Sequence, residues 1–365
     1  MRNLLAAFAL LLSTPAMALA GDPYTVLDVR IDATAGNALE AQTAAMRQGQ
    51  LDAARRLVER MTLAEDRAGT VFALEPYFNE MGEMVNETEL DAALVSEMIS
   101  GLEIQDEQRS ATRYLASLNV SFDPATVERI LDSYGVPFVE TQARPTLILP
   151  VYDGETGFQL WENNPWRQAW LASSFENALT PMFAPGDTQG APYLSARQAL
   201  SLDEAGLQQV ASIYGVNRIA VLRAQERDGI RRFGGYLIEL DGLDGPVIES
   251  WGPATVIGGW SNAAMDFMLD RERVWKEQSV VRDGEIREVR VTVLYSGIEE
   301  WRGLQSMLTG ASLIENARLD ALSRDGALMT VNYRGEREQL VTELAERGAV
   351  LEEHPGLGWV VRRAF

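Results

Sequence analysis

The chain has 365 residues, 46% of them hydrophobic and 23% charged, with 53 acidic against 32 basic side chains and a formal net charge of −21. A chain this acidic lacks the broad basic surface that binding to nucleic acids or anionic lipids requires. The absence of cysteine excludes thiolate chemistry and disulfides. The chain has a single histidine, His354, and a single lysine, Lys276, which excludes histidine-cluster zinc sites and lysine-dependent phosphate loops.

The first twenty residues predict a secretory signal peptide. Arg2 provides a positive charge, and the apolar run from Leu4 to Leu12 is too short to span a bilayer. Ala18-Leu19-Ala20 has the small-x-small pattern of a cleavage site, so we expect cleavage after Ala20. No later segment is apolar for long enough to span a membrane. The sequence therefore predicts a soluble, periplasmic mature protein.

The first block, residues 21–143, predicts a small α+β domain. A strand is expected at residues 24–31, long helices at 37–61 and 87–99, and an alternating, half-buried strand at 113–122. Asp123-Pro124 then provides an N-cap and a first helical proline for a short helix that ends at Gly135.

The second block, residues 144–285, predicts a mixed-sheet α/β domain. Its continuous apolar run at 146–152 is typical of a central strand. Helices are expected at 164–175, 203–214 and 262–277, and further strands at 218–223, 235–240 and 246–251. The turn-rich segment 181–192 predicts a surface loop.

The third block, residues 286–365, has the order β-α-β-β-α-β of the ferredoxin-like split βαβ pattern. Its hairpin is indicated by Arg324-Asp325-Gly326, between strands at 316–323 and 327–333. The whole chain is thus expected to be an α+β protein of three small α/β layers, the last of them ferredoxin-like.

These blocks, in this order, resemble an uncharacterised family of secreted proteobacterial proteins known only as a domain of unknown function. The resemblance rests on Arg144-Pro145 before the apolar strand, Asn164-Pro165-Trp166-Arg167 at a helix start, Tyr214-Gly215-Val216 before the next strand, and the valine-rich strand leading to Trp301. It implies no activity and no catalytic residues. The middle block is also similar, at the level of fold, to small α/β domains of periplasmic envelope-assembly proteins.

One segment partly matches the nucleophile-elbow motif of hydrolases: Gly259-Trp260-Ser261-Asn262-Ala263. Asp266 and His354 follow it in the order found in hydrolases. Ala263 replaces the second glycine of that motif, and His354 belongs to another block. We therefore expect Ser261 to be the N-cap of the next helix, with Asn262 competing for that position.

Two further chemistries are weighed against simpler accounts. A glycosidase needs two carboxylates at a fixed separation, but chance pairs are common among so many acidic residues, which we expect to form a solvated surface. Asp241-Gly-Leu-Asp244-Gly lacks the third ligand and distal glutamate of a calcium loop, so a hairpin turn is expected there. No Gly-x-Gly-x-x-Gly run follows a strand, and neither a metal nor a cofactor is predicted.

The most distinctive local feature is the tryptophan cluster of Trp161, Trp166, Arg167 and Trp170. Aromatic rings beside an arginine can stack on sugars or anchor a partner protein, so these residues are the candidate binding surface. The alternative is that the rings fill the core, and the burial of large aromatic residues favours that alternative.

The near absence of reactive side chains predicts a non-catalytic protein. It would act in cell-envelope assembly or maintenance through contacts with an unknown envelope protein or with peptidoglycan. Two alternatives remain open. One is a carboxylate-dependent hydrolase of cell-wall glycans, with two Asp or Glu side chains at glycosidase separation in a cleft, one of them desolvated. The other is a small-ligand-binding module, with a closed apolar pocket lined by Trp161, Trp166 or Trp251.

Overall fold

The computed structural model describes residues 21–364 except 73–76, 79–80, 82–83, 86–89, 140, 241–244 and 283. The predicted signal peptide and most of the Asp241–Gly245 turn lie outside these residues. The predicted α+β class is confirmed: helices pack on sheets of three, six and five strands, and a two-stranded pair is separate. No helix in the described ranges is long and apolar enough to cross a membrane.

The first layer is a three-stranded antiparallel sheet in the order β1-β5-β4, covered by helices. Its elements are β1 (Thr25–Thr34), α1 (Ala38–Met61), α2 (Ala64–Arg67), β2 (Tyr77–Phe78), β3 (Met84–Val85), α3 (Ala92–Met98), β4 (Ile99–Arg109), β5 (Arg113–Phe122) and α4 (Pro124–Ser133). The helix start at Asp123 is confirmed, because the Asp123 carboxylate accepts from the amide of Thr126 at 2.9 Å. Strand β4 has no counterpart in the sequence prediction.

The middle layer is a six-stranded mixed sheet in the order β11-β10-β9-β6-β7, with β8 also beside β6. Its elements are β6 (Thr146–Gly154), β7 (Gly157–Gln159), α5 (Pro165–Leu171), β8 (Met182–Phe183), α6 (Ala196–Leu200), α7 (Glu204–Tyr214), β9 (Arg218–Arg227), β10 (Ile230–Glu239), β11 (Val247–Thr255) and α8 (Trp260–Ser279). Strands β6 and β9 are parallel, whereas β9, β10 and β11 form an antiparallel meander, so the sheet is mixed as predicted.

The prediction of a surface loop at 181–192 is wrong for its first half. Pro181, Met182, Ala184 and Pro185 are buried, because β8 pairs with the start of β6 and the chain around it fills the core. Two separate apolar cores cover the two faces of this sheet. One contains residues of α5 and α8, and the other contains residues of α6 and α7.

The third layer is a five-stranded sheet in the order β13-β14-β12-β16-β15. Its elements are β12 (Ile286–Leu294), α9 (Ile298–Thr309), β13 (Ile314–Leu322), β14 (Gly326–Arg334), α10 (Arg337–Glu346), β15 (Ala349–His354) and β16 (Gly358–Arg363). The ferredoxin-like order is present through α10. The chain then forms a hairpin instead of one strand: β15 takes the edge, and β16 lies between β15 and β12, parallel to β12.

Helix α8 joins the three layers. Its Trp275 donates an indole N–H to the carbonyl of Thr141 at 2.8 Å, and its Lys276 donates to the carbonyls of Glu59 and Thr62, where α1 ends. Val280, directly after α8, accepts from Gln339 of the third layer at 2.7 Å. The middle layer is therefore held to both neighbours through the second half of one helix.

Candidate functional site

A β-bulge opens a groove on the six-stranded sheet. Along β10, Phe233 pairs with Ala254 but Gly235 pairs with Trp251, so two residues of β11, Gly252 and Pro253, stand opposite the single residue between them. An extra residue in one strand bends that strand away from its neighbour. Gly252 has φ +77°, which favours glycine.

Glycines make this close approach of backbones possible. A Cβ on Gly234 would lie 2.9 Å from the carbonyl oxygen of Trp251, and one on Gly235 would lie 1.9 Å from that of Val221. No side chain can be accommodated at the second position without moving the strands, and both glycines line the groove. A glycine inside a strand pattern is a known sequence signal for such a bulge.

The bulge groove has a volume of about 460 Å³ and spans the three strands of the meander. Direct cross-strand pairs place Gln225 beside Arg232, and Tyr236 beside Ser250, on the same face of the sheet. The residues that line the groove are Leu200, Val221, Arg223, Gln225, Arg232, Phe233, Gly234, Gly235, Tyr236, Ser250, Trp251, Gly252 and Pro253.

The charge of the bulge groove is opposite to that of the chain. Two arginines line it and no carboxylate does. Arg223 is held by Asp153 at 2.6 Å and stacks over the ring of Phe158, with 5.1 Å from its guanidinium carbon to the ring centroid. Arg232 is exposed and has no ion-pair partner among the described residues. The groove therefore offers one free guanidinium beside a second whose position is fixed.

An edge strand borders the groove. Within the described part of the chain, β11 pairs only with β10, so its outer backbone groups face away from the sheet. The pairing is regular from Val247 to Trp251. Val247 and Ile248 are about half exposed, at 55% and 50%, although both are large and apolar. An edge of this kind can accept a further strand.

Three of the four members of the tryptophan cluster are buried, and the fourth is half-buried. Trp166 and Trp170 are buried with their rings 5.6 Å apart, and the Trp166 indole donates to the carbonyl of Leu222 at 3.0 Å. Arg167 is also buried and donates to the carbonyl of Pro185 at 2.8 Å.

The fourth member of the cluster, Trp161, is half-buried, and its indole donates to the carbonyl of Leu194 at 2.7 Å. Internal hydrogen bonds thus occupy the indole N–H groups of Trp161 and Trp166, while the buried indole N–H of Trp170 has no partner among the described residues. The core alternative fits Trp166, Arg167 and Trp170, which are buried on α5, whereas Trp161 precedes α5 and packs, half-buried, against the core on the other face of the sheet.

The residues of the elbow-like motif do not come together. Helix α8 is capped by Gly259, whose amide donates to the Asn262 side chain at 3.2 Å, so the expectation that Ser261 or Asn262 is the N-cap is wrong. Ser261 lies in the first turn, exposed to solvent. His354 is at the end of β15 in the third layer, and among the described residues no hydrogen bond joins Ser261, Asp266 and His354.

Glu272, Glu343 and Glu346 are buried carboxylates, and each contacts neighbouring groups of the fold. Glu272 on α8 accepts from the amide of Leu179 at 2.8 Å. Burial raises the pKa of Glu272, although this hydrogen bond and the charges of Arg60 and Lys276 oppose the rise. It does not line the bulge groove. No group of three or more potential metal ligands is present in the described ranges.

Comparison with known proteins gives no match to a family model, to a curated protein or to a solved structure.

Proposed function

We propose that this chain is a non-catalytic protein of the bacterial cell envelope, acting in the periplasm in envelope assembly or maintenance. It binds an extended, acidic segment of a partner protein in the bulge groove, and that segment adds as a strand to β11. The observation that carries the proposal is the position of a positively charged groove directly beside an unpaired edge strand.

Strand addition needs two things from the receiving protein. A free edge supplies main-chain hydrogen bonds, and neighbouring pockets select alternate side chains of the incoming peptide. Strand β11 supplies the edge over Val247–Trp251, where its pairing with β10 is regular. The bulge beyond Trp251 ends the regular edge, which limits the added strand to a short segment.

The chemistry of the groove favours an acidic segment. Arg232 lines a groove that no carboxylate lines, in a chain whose formal net charge is −21. A guanidinium binds a carboxylate with two parallel hydrogen bonds, which fixes both position and direction. Tyr236 and Ser250, paired across the strands, add an aromatic face and a hydroxyl for the same segment.

The groove offers binding groups without a general base. No histidine and no carboxylate are among its lining residues, and acid–base catalysis depends on such groups. This supports a docking role for the groove over the hydrolase alternative. The secretory signal predicted at residues 1–20 is the basis for placing the protein in the periplasm in this proposal.

Site-specific crosslinking in living cells tests the proposal. A photoreactive residue at Ser250, on β11, is compared with one at Ile298, an exposed position in the third layer. We expect a single defined protein adduct from position 250 and none from position 298. Arg232→Glu should abolish the adduct, and Arg324→Glu, at an exposed turn in the third layer, should not.

The following results of these tests would contradict the proposal. These are equal crosslinking at the two positions, an adduct that Arg232→Glu leaves unchanged, or hydrolysis of cell-wall glycan by the purified protein. Sedimentation with purified cell-wall sacculi, lost on Arg232→Glu, would instead assign the groove to peptidoglycan and would overturn the protein partner.

A further inference from the structure

A second open edge strand lies in the first layer. Within the described part of the chain, β4 pairs only with β5, so its outer backbone groups are open to a further strand. Every residue from 103 to 109 is exposed. The molecule therefore presents two open strands, β4 and β11, in different layers.

Strand β4 carries the charge that the bulge groove lacks. Glu103, Asp106 and Glu107 are exposed on this strand, whereas the groove is lined by two arginines and no carboxylate. Glu103 accepts from the Asn119 side chain at 3.3 Å, which leaves further acceptor sites of its carboxylate free. A segment with the chemistry that the groove favours is thus part of this chain.

The two open strands are also matched in length. The pairing of β4 with β5 is regular from Gly101 to Gln105 and irregular on either side. The pairing of β11 with β10 is regular from Val247 to Trp251 and ends at the bulge. Because bulges terminate regular pairing, each strand offers one stretch of five residues to a partner.

The side chains of β4 alternate in chemistry between its two faces. Leu102 and Ile104 lie on one face, paired across the strands with the buried Val120 and Leu118, and Glu103 lies on the other. Ile104 is 41% exposed, so apolar surface remains open at this edge. An added β4 would therefore place carboxylate on one face of the receiving sheet and apolar surface on the other.

The faces of β11 fit this alternation. Ser250 lies on the face of the bulge groove, and Val247, which is 55% exposed, lies on the opposite face. A register with Glu103 opposite Ser250 puts the carboxylate on the groove face and the apolar residues of β4 on the face of Val247. A shift by one residue would set Glu103 opposite Glu249, so like charges disfavour it.

Charge also disfavours the simplest competing contact, in which two copies pair through β4. That contact would bring the carboxylates of both strands together, and like charges on neighbouring strands are destabilising. Pairing of β4 with β11 sets carboxylates beside guanidiniums instead. The distribution of charge thus selects β11 as the edge that β4 joins.

We propose that the segment bound in the bulge groove is β4 of a second copy of this chain. This inference rests on the docking role proposed above and specifies its occupant. The strand that is given and the edge that receives it belong to different layers, so the contact is heterologous. A heterologous contact lets successive copies join head to tail.

Sedimentation velocity of the purified protein, from about 1 μM to about 300 μM, tests the inference. We expect the average mass to rise with concentration. Arg232→Glu and Glu103→Arg should each weaken this association about tenfold or more, because each sets like charges together. Glu97→Arg makes the same charge change at an exposed position of α3, in the layer that contains β4, and should leave the association unchanged.

Mixing the two weakened variants makes the result decisive. The intact Glu103 of the Arg232→Glu protein meets the intact Arg232 of the Glu103→Arg protein, so the mixture should associate at concentrations where neither variant does alone. A variant that merely fails to fold cannot give this rescue. A mixture that does not associate, or association that neither substitution weakens, would overturn the inference.

An unsubstituted protein that stays monomeric at about 300 μM would also overturn β4 as the occupant. The docking role is judged separately, by crosslinking from Ser250. An adduct with a different protein, abolished by Arg232→Glu, would keep the docking role and reject the second copy. An adduct with the mass of two copies would support both.

Discussion

Arg218, at the start of β9, lies 2.6 Å from Glu346, at the end of α10, and this contact ties the middle sheet to the third layer. Burial would lower the pKa of Arg218, but Glu346 and Glu239 offset that effect and raise it. The pair is nearly dry, so its partners depend on each other: removing one leaves the other as an uncompensated buried charge.

Arg218→Met should therefore destabilise the protein by about 3–5 kcal/mol, because Glu346 stays buried without its closest cation. The double variant Arg218→Met/Glu346→Met should recover most of that loss. Urea unfolding measures both. Arg302→Met, which breaks an exposed pair with Glu299, is the control and should change stability far less. A double variant no more stable than Arg218→Met would show that the pair is not the source of the effect.

Lys276→Met should cost about 1–3 kcal/mol, because the carbonyls of Glu59 and Thr62 lose a buried donor at the end of α1. The positively charged ammonium group of Lys276 also interacts favourably with the negative C-terminal end of the α1 dipole. Thermal unfolding measures the loss. The control is Arg56→Met, at an exposed site on α1, because it also removes one positive charge but breaks no such contact. Equal stability of the two variants would contradict the capping role.

Glu272 should make stability fall as the pH rises. Burial raises its folded pKa, so its contribution is fully present below the ordinary glutamate pKa and is lost as the pH rises through the folded value. The free energy of unfolding of the unsubstituted protein, relative to Glu272→Gln, should thus decrease as the pH rises from about 4, close to the ordinary glutamate pKa. Urea unfolding of both proteins over that rise in pH checks the trend. A difference in unfolding free energy that does not change with pH would contradict this role of Glu272.

Gly235→Ala should destabilise the meander by about 1–3 kcal/mol or more, because its Cβ would lie 1.9 Å from the Val221 carbonyl oxygen. Gly186→Ala is the matched control, since a Cβ there meets nothing within 4 Å. Thermal unfolding of both variants measures the effect on stability, and crosslinking from Ser250 measures the effect on partner binding. A Gly235→Ala protein as stable as the Gly186→Ala protein would contradict the close approach of the strands.

The strand at Arg113–Phe122 was predictable to the residue, because one face of β5 is buried and its apolar residues alternate with polar ones. The neighbouring strand β4 was missed because nearly all of it is exposed, so no hydrophobic periodicity marks it. Strand β15 was missed for a related reason. It is a strand because it pairs with β16 in a hairpin, and the local sequence does not specify that pairing.

The candidate site was less predictable than the fold. The tryptophans are the most distinctive motif of the sequence, yet Trp166 lies on the face of α5 that packs against the sheet and is therefore buried. Arg232, Tyr236 and Ser250 form no motif, since three strands and a bulge bring them together. The one available signal was Gly234-Gly235 inside an apolar strand, which indicates a bulge or a close backbone approach.

The most direct measurement of the docking claim is amide hydrogen exchange of the protein, alone and bound to the partner identified by crosslinking from Ser250. Strand addition predicts that alternate amides of Val247–Trp251 exchange rapidly in the free protein and become protected in the complex, and that Arg232→Glu abolishes this protection. Protection confined to other strands, or no change along β11, would contradict the account.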